Sequence, residues 1–518
     1  MNNGNRNKTE IRKISSFKTT IVYVVLPLTI ISSVSLFLRL FYFPYDIPLT
    51  HDAVGYFWYA IDTTILENFP TDYSFPNTGW SMFLSLVFGI FDSNNFIDYM
   101  TIQRLSTIII STLTIIPVYF LCKKFFNNSL SLLGALLFAF EPHMIQNSLL
   151  GLTDTLYIFL ITVSFVLLQS SNKKLVYLSF AIAGLSSIVR YEGLVFLVVL
   201  TITFFIKFRK EKLVVLKYLF AIGIFILILL PVMNLRINDN GEDGLTSHIF
   251  SHAKVTSDIS SNQSEISPNL ATFLSNGFEN LLKYTGWIMI PYFIIFVPIG
   301  ILLGIKTKKP ELFYIILSII ILSIPALYAY SRDIQETRYL LVLMPFFSVL
   351  SLFLIERIVN KTKKQKLFCI LLIMIIFTSS FVYLELKKVD LEHEREAFEI
   401  SQQVAKFTKV TNAYEPESKY LKVASIGNNF PVTKNNSIPE TITLHTNYFS
   451  IIDFIKNNEK NNITHVVTDD HNESKILKDL FLNDENYPYL VKVYDSIEHG
   501  YKYHVKVYKI NYNQFIEN

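Results

Sequence analysis

The sequence predicts an α-helical polytopic membrane protein with about 11 transmembrane helices and a C-terminal extracytoplasmic α/β domain. Three observations predict it. Only 17% of the 518 residues are charged and 51% are hydrophobic, whereas soluble chains carry roughly 25% charge. Apolar runs near the ~20 residues needed to cross a ~30 Å hydrocarbon core recur as far as residue 386, and mean hydropathy is +0.37. From residue 387 the composition returns to that of a water-soluble domain. A purely soluble enzyme is excluded, and the lipid bilayer is a required partner. The net charge of +4 forms no basic face outside short loops, so no nucleic acid is expected as a partner. Cys122 and Cys369 lie at or inside apolar runs and provide neither a disulfide framework nor metal spacing.

The expected spans lie near 19–43, 101–122, 130–147, 152–170, 175–190, 192–208, 213–234, 284–305, 311–330, 338–357 and 367–386. Basic residues orient them, because cytoplasmic loops carry the excess of Lys and Arg. Arg6, Lys8, Arg12, Lys13 and Lys18 precede the first span; Lys123 and Lys124 follow the second, Lys173 and Lys174 the fourth. Lys207, Arg209, Lys210, Lys212 and Lys217 surround the next such turn, then Lys306, Lys308 and Lys309, then Arg357 to Lys366. These clusters fall on one side, so the N-terminus is expected in the cytoplasm and the C-terminal domain outside. The run Trp80–Phe91 is too short to count; counting it would reverse every later loop.

The expected domains are a membrane module over 1–386, whose first external loop covers 44–100, and a soluble domain over 387–518. In the latter, EHEREAFEISQQVAKF, YFSIIDFIKNNEK and SKILKDLF read as helices. YLKVASIG, ITHVVTD, YLVKVYD and YKYHVKVYKI read as strands. Strands interspersed with helices indicate a small α/β domain. Asn-X-Ser/Thr sites stand at Asn262, Asn435, Asn462 and Asn472.

Residues able to carry chemistry gather on the external side. DIPLTHDAVGYFWYAIDTTIL places Asp46 and Asp52 after the first span, ahead of an aromatic helix with Val54, Phe57 and Ile61 on one face. Asp52 complements the helix dipole in the first turn; it is also a carboxylate placed to act as a general base at the water–lipid boundary. Glu141, beside Pro142 and His143, ends the third span, and Thr153-Asp154 opens the fourth. Asp154 reads equally as part of a helix cap and as a charged group with a function near the membrane. Arg190 stands two residues from Glu192, and Arg332, Asp333, Glu336 and Arg338 share another external turn, with Arg39 near the outer end of the first span. These arginines either pair with neighbouring acids or form a phosphate site, since guanidinium binds phosphate through paired hydrogen bonds. For Arg39, snorkelling is the simpler account.

THDAVGYFWYAID, FAFEPHMIQNSLLGLTDTLYIFL, AGLSSIVRYEGLVFL and ETRYLLVLMPFF occur in that order on one side of the membrane. Together they resemble a polytopic glycosyltransferase of the GT-C type, close to prokaryotic protein O-mannosyltransferases and lipid A aminoarabinose transferases. The resemblance runs to roughly residue 350. It departs at Ala53, which follows Asp52 where a second acidic residue is common. The resemblance implies transfer of a sugar, with inversion, from a polyprenyl-phosphate-linked donor to an extracytoplasmic acceptor: protein, lipid or glycan. It implies Asp52 as general base and Glu141 or Asp154 as groups positioning acceptor or sugar, with a divalent cation (Mg or Mn) as a candidate cofactor. Arg190, Arg338 and Arg39 would meet the lipid phosphate, and Tyr56 and Tyr339 would contact substrate. The alternatives are an oligosaccharide-transferring relative, a multi-spanning transporter and a non-catalytic scaffold.

Overall fold

The computed structural model describes residues 21–50, 52–66, 78–247, 270–307, 310–407, 411–412, 420, 423–424, 450–458, 463–470 and 474–517. The N-terminal basic cluster, Lys308, Lys309, the four Asn-X-Ser/Thr asparagines and most of YLKVASIG lie outside the described residues. The chain divides into two compact units. One comprises residues 1–43, 71–80 and 104–388; the other comprises 44–70, 81–103 and 389–518.

The larger unit is helical, and among the described residues every apolar run read as a span is helical over most of its length. Among the described residues, six helices are long and apolar enough to cross a membrane, or seven if one bent pair counts as a single span. The difference from eleven has a physical cause: hydropathy records composition and does not see where a helix breaks. The run 130–147 is split into Asn128–Ala139 and Pro142–Ser148, because Glu141 caps a new helix and Pro142 opens it. The run 284–305 is two helices bent by 109° at residues 289–292. Asp154–Leu168 has 15 residues, about 22 Å of helix, and Gly79–Phe88 has only 10.

The helix Met344–Lys361 is the packing axis, with Phe346, Phe347, Val349, Leu350, Leu352 and Phe353 buried. Small residues let neighbours approach, as they do between helices in lipid. A side chain on Gly134 would overlap both the Cys122 sulfur and Leu352. Helix ends carry their own satisfaction: Asn127 and Asn172 cap starts by accepting from Leu130 and Lys174 N–H, each at 3.0 Å.

The smaller unit holds a four-stranded sheet: β1 (Thr411–Asn412), β2 (His465–Asp469), β3 (Leu490–Asp495) and β4 (Val505–Ile510). The order is β1-β2-β4-β3, with β1 parallel to β2 and the other pairs antiparallel. Ile451, Phe454 and Ile455 sit three and four apart on the helix Ile451–Asn458. They pack with Leu477 and Leu480 of Lys475–Leu482 and with Val466 and Tyr508 of the sheet. In the same unit the helix Asp52–Leu66 is buried on more than one face: Phe57, Ala60 and Ile61 at 0%, Tyr56 at 4% and Tyr59 at 6% exposure. It is anchored at Gln103, whose side-chain amide donates to the Ala53 carbonyl at 3.0 Å.

Two groups make this sheet sensitive to acid. Burial alone would raise the Asp495 carboxyl, but the Lys492 hydrogen bond (3.2 Å), His504 (2.9 Å) and the Ile497 N–H outweigh it and hold it below the usual range. Burial and then Lys509 push His465 below its usual 6.5. Both folded-state values lie below their unfolded ones, so both contributions are complete at neutral pH and fade as pH falls. Loss begins near the ordinary histidine value and deepens below 3.8, the ordinary value for Asp495. Hydrogen exchange of peptides from 463–510, corrected for intrinsic rates, should show opening that becomes easier from pH 7 to 5. His465→Gln should flatten that segment of the profile.

Candidate active site

The site forms where three helices of the larger unit begin or end. Asp154 starts the helix Asp154–Leu168. Arg190 follows the helix Lys173–Val189 in extended conformation (φ −146°, ψ 126°), its N–H still donating to Ser186 at 2.9 Å. Glu192 precedes the helix Gly193–Phe208. The turn between the last two is so tight that a side chain on Gly193 would overlap the Ser187 backbone. Arg190 and Glu192 are thereby pointed back at the start of the Asp154 helix.

There the guanidinium of Arg190 donates through Nη1 to the Asp154 carboxylate. It also donates through Nη2 to Glu192 Oε1 at 2.7 Å and through Nε to Glu192 Oε2 at 3.3 Å. Its plane lies by the Tyr157 and Tyr339 rings, 5.8 and 5.6 Å from their centroids. Asp154, Arg190 and Glu192 are 3%, 7% and 5% exposed, so the pairing is strong and partly dry. One guanidinium between two carboxylates leaves the cluster with one formal negative charge. The second Asp154 oxygen, Oδ2, is buried without a hydrogen-bond partner among the described residues. A cleft opens on these groups, with Arg338 and Tyr339 on its wall. Arg338 pairs with Glu336, which is half exposed.

Asp154, Arg190, Arg338 and Tyr339 thus share one cleft. Glu141 and Arg39 do not line it. The Glu141 carboxylate takes the Met144 N–H at 2.7 Å and His143 Nδ1 at 2.7 Å, and His143 Nε2 meets the Tyr383 hydroxyl at 3.0 Å. Arg39 is fully buried and donates to Ser35, to the Ala139 carbonyl at 3.1 Å and to Ser111 at 3.0 Å. It is buried rather than snorkelling. Asp52 and Tyr56 belong to the smaller unit, one helical turn apart at the start of Asp52–Leu66. Tyr157 and Glu192 are members of the cleft that the sequence reading did not assign to substrate. Tyr157, three residues beyond Asp154 on the same helix face, was there to be found.

The divalent cation implied by the resemblance finds no ready donor set. Among the described residues no three His, Cys, Asp or Glu side chains gather to hold an ion. Asp154 and Glu192 are engaged by Arg190, and Glu141 by His143 and a backbone N–H.

Comparison with known proteins gives a family match over part of the chain and a likeness of fold over most of it. Residues 78–234 match the family model described as dolichyl-phosphate-mannose-protein mannosyltransferase. No curated protein matches the chain in sequence. Among solved structures, the chain is similar to ArnT from Cupriavidus metallidurans bound to undecaprenyl phosphate. There the TM-score is 0.56 at 11% identity, covering 94% of this chain and 97% of that one. It is also similar to the Archaeoglobus fulgidus oligosaccharyltransferase tethered with an acceptor peptide, with a TM-score of 0.52 at 13% identity, covering 88% and 70%. The same enzyme in complex with Zn and sulfate gives a TM-score of 0.50 at 13% identity, covering 86% and 68%. At these identities the likeness is one of fold.

Proposed function

We propose that this chain is a membrane glycosyltransferase that moves a sugar from a polyprenyl-phosphate-linked donor to an acceptor outside the cytoplasm, with inversion. The observation that carries the reading is the family match over 78–234, which contains the buried Asp154–Arg190–Glu192 cluster and its turn. In the reaction, a carboxylate accepts the proton of the acceptor hydroxyl while that oxygen attacks the anomeric carbon, a role for which the sequence resemblance nominates Asp52. The bond from that carbon to the phosphate oxygen breaks, and the electron pair leaves with the lipid phosphate. Arg338 is the first candidate to meet this charge, because its partner Glu336 is half exposed and an exposed pair is easily exchanged for a phosphate. Arg190 faces the same cleft but is already engaged by two carboxylates; it holds Asp154, whose buried Oδ2 has no hydrogen-bond partner among the described residues. No step is assigned to a metal, and the sugar, hexose or pentose, is left to experiment. The test is to offer the purified protein a panel of polyprenyl-phosphate sugars with acceptor and to measure sugar transfer. Failure across the panel, with folded protein, would refute the proposal.

Two expectations follow from this reading. Arg338→Gln should lower kcat/KM for the donor roughly 10- to 100-fold, the worth of one hydrogen bond to a charged group. Glu336→Gln should leave it equal or better. If both variants lose activity alike, the pair serves the loop rather than the phosphate. The second expectation concerns orientation, which rests on the basic loops: the C-terminal domain, residues 387–518, lies outside the cytoplasm. Protease added to intact spheroplasts should remove it, and complete protection would reverse the topology.

A further inference from the structure

At the opposite ends of the same helices lies a shallow second cleft, floored by Val176, Tyr177, Phe204 and Phe208. It opens where the start of Lys173–Val189, the end of Gly193–Phe208 and the start of Val214–Asn240 meet. Its rim carries Lys173, Lys217 and Glu211. Both ammonium groups reach the one carboxylate, Lys173 at 2.9 Å and Lys217 at 2.6 Å. One positive charge is therefore left over at the rim. The surrounding turn adds to it, since Arg209, Lys210 and Lys212 flank Glu211 directly.

Just beyond these charges the surface is apolar. Leu213, Val215, Leu216, Leu219 and Phe220 are exposed by 71, 59, 61, 58 and 60%. Leu213 takes a left-handed backbone (φ 56°), costly for a bulky side chain. Contiguous exposed apolar surface of this kind beside lysines marks the boundary between headgroups and hydrocarbon. We propose that the rim of this cleft binds an anionic phospholipid, its phosphate against Lys173 and Lys217 and one acyl chain along the exposed Leu216, Leu219 and Phe220. Phosphate is the shared chemistry with a free ion, but the exposed apolar side chains beside the lysines favour the lipid. Glu211 acts as the competitor that the phosphate must displace. The inference is independent of glycosyl transfer.

The test uses the purified full-length protein in neutral detergent, titrated with phosphatidylglycerol or phosphatidylcholine of matched chains and followed by native mass spectrometry. Phosphatidylglycerol should bind about 10-fold more tightly, as expected for one to two lysines near an anionic headgroup. Lys173→Gln with Lys217→Gln should abolish that preference. Glu211→Gln should strengthen it, because both lysines are then free for the lipid. Equal binding of the two lipids, or an unchanged preference in the double variant, would overturn the proposal. So would displacement of phosphatidylglycerol by equimolar inorganic phosphate, which would mark a site for the free ion.

Discussion

Asp52→Asn should fold normally and turn over roughly 10²- to 10⁴-fold more slowly, the usual contribution of a positioned general base. Asparagine keeps the size and most of the hydrogen bonding at the start of Asp52–Leu66 but removes the charge and the basic lone pair. If Asp52 merely complements the helix dipole, the change should cost at most about 1 kcal/mol of stability and leave turnover nearly intact. Asp46→Asn is the matched control. Asp46 occupies a left-handed backbone position (φ 61°), which asparagine adopts readily, so that variant should keep both fold and rate. Binding of the donor should survive in both. Near-normal turnover by folded Asp52→Asn protein would sink the mechanism and leave the likeness as one of fold.

The second large effect is on stability. Arg190→Met removes the cation that bridges Asp154 and Glu192, both almost fully buried. Stranding buried charges in this way costs about 3–5 kcal/mol, which in detergent should appear as a marked fall in melting temperature or in the yield of monodisperse protein. Asp154→Asn with Glu192→Gln on the same background should recover much of the loss, because neutral amides need no counter-charge. If Arg190→Met melts normally and instead binds the donor poorly, the guanidinium serves the phosphate and the carboxylates are hydrated.

Much of this architecture is legible in the sequence, for reasons that are themselves physical. Apolar runs report helices because a lipid-facing backbone must satisfy itself internally. The amphipathic spacing of Ile451, Phe454 and Ile455 likewise reports the helix that packs on the sheet. The number of long helices is not legible, since a capping Glu141 or the bend at 289–292 changes composition very little. Within the cleft, the Arg190–Glu192 pair could be read from a spacing of two residues. The Asp154–Arg190 contact joins residues 36 apart on different helices, and no local pattern encodes it. Nor does any compositional step announce that the first loop and the C-terminal residues form one unit.

That shared unit has a consequence for biosynthesis. Phe96 packs against Phe398 (6.5 Å between ring centroids), and Arg395 donates to the Tyr45 carbonyl at 3.3 Å. The two contacts close loops of 302 and 350 residues, at an entropic cost that grows only with the logarithm of loop length but with a wait set by translation at ≈ 5–20 residues per second. The segment bearing Asp52 must therefore emerge early and remain without its later packing partners until the last part of the chain has been made. Nascent chains arrested before residue 389 should leave the 44–70 segment open to a trapping chaperone or a protease, while released full-length chains shield it. A nonsense mutation late in the reading frame would then damage a region encoded near its beginning.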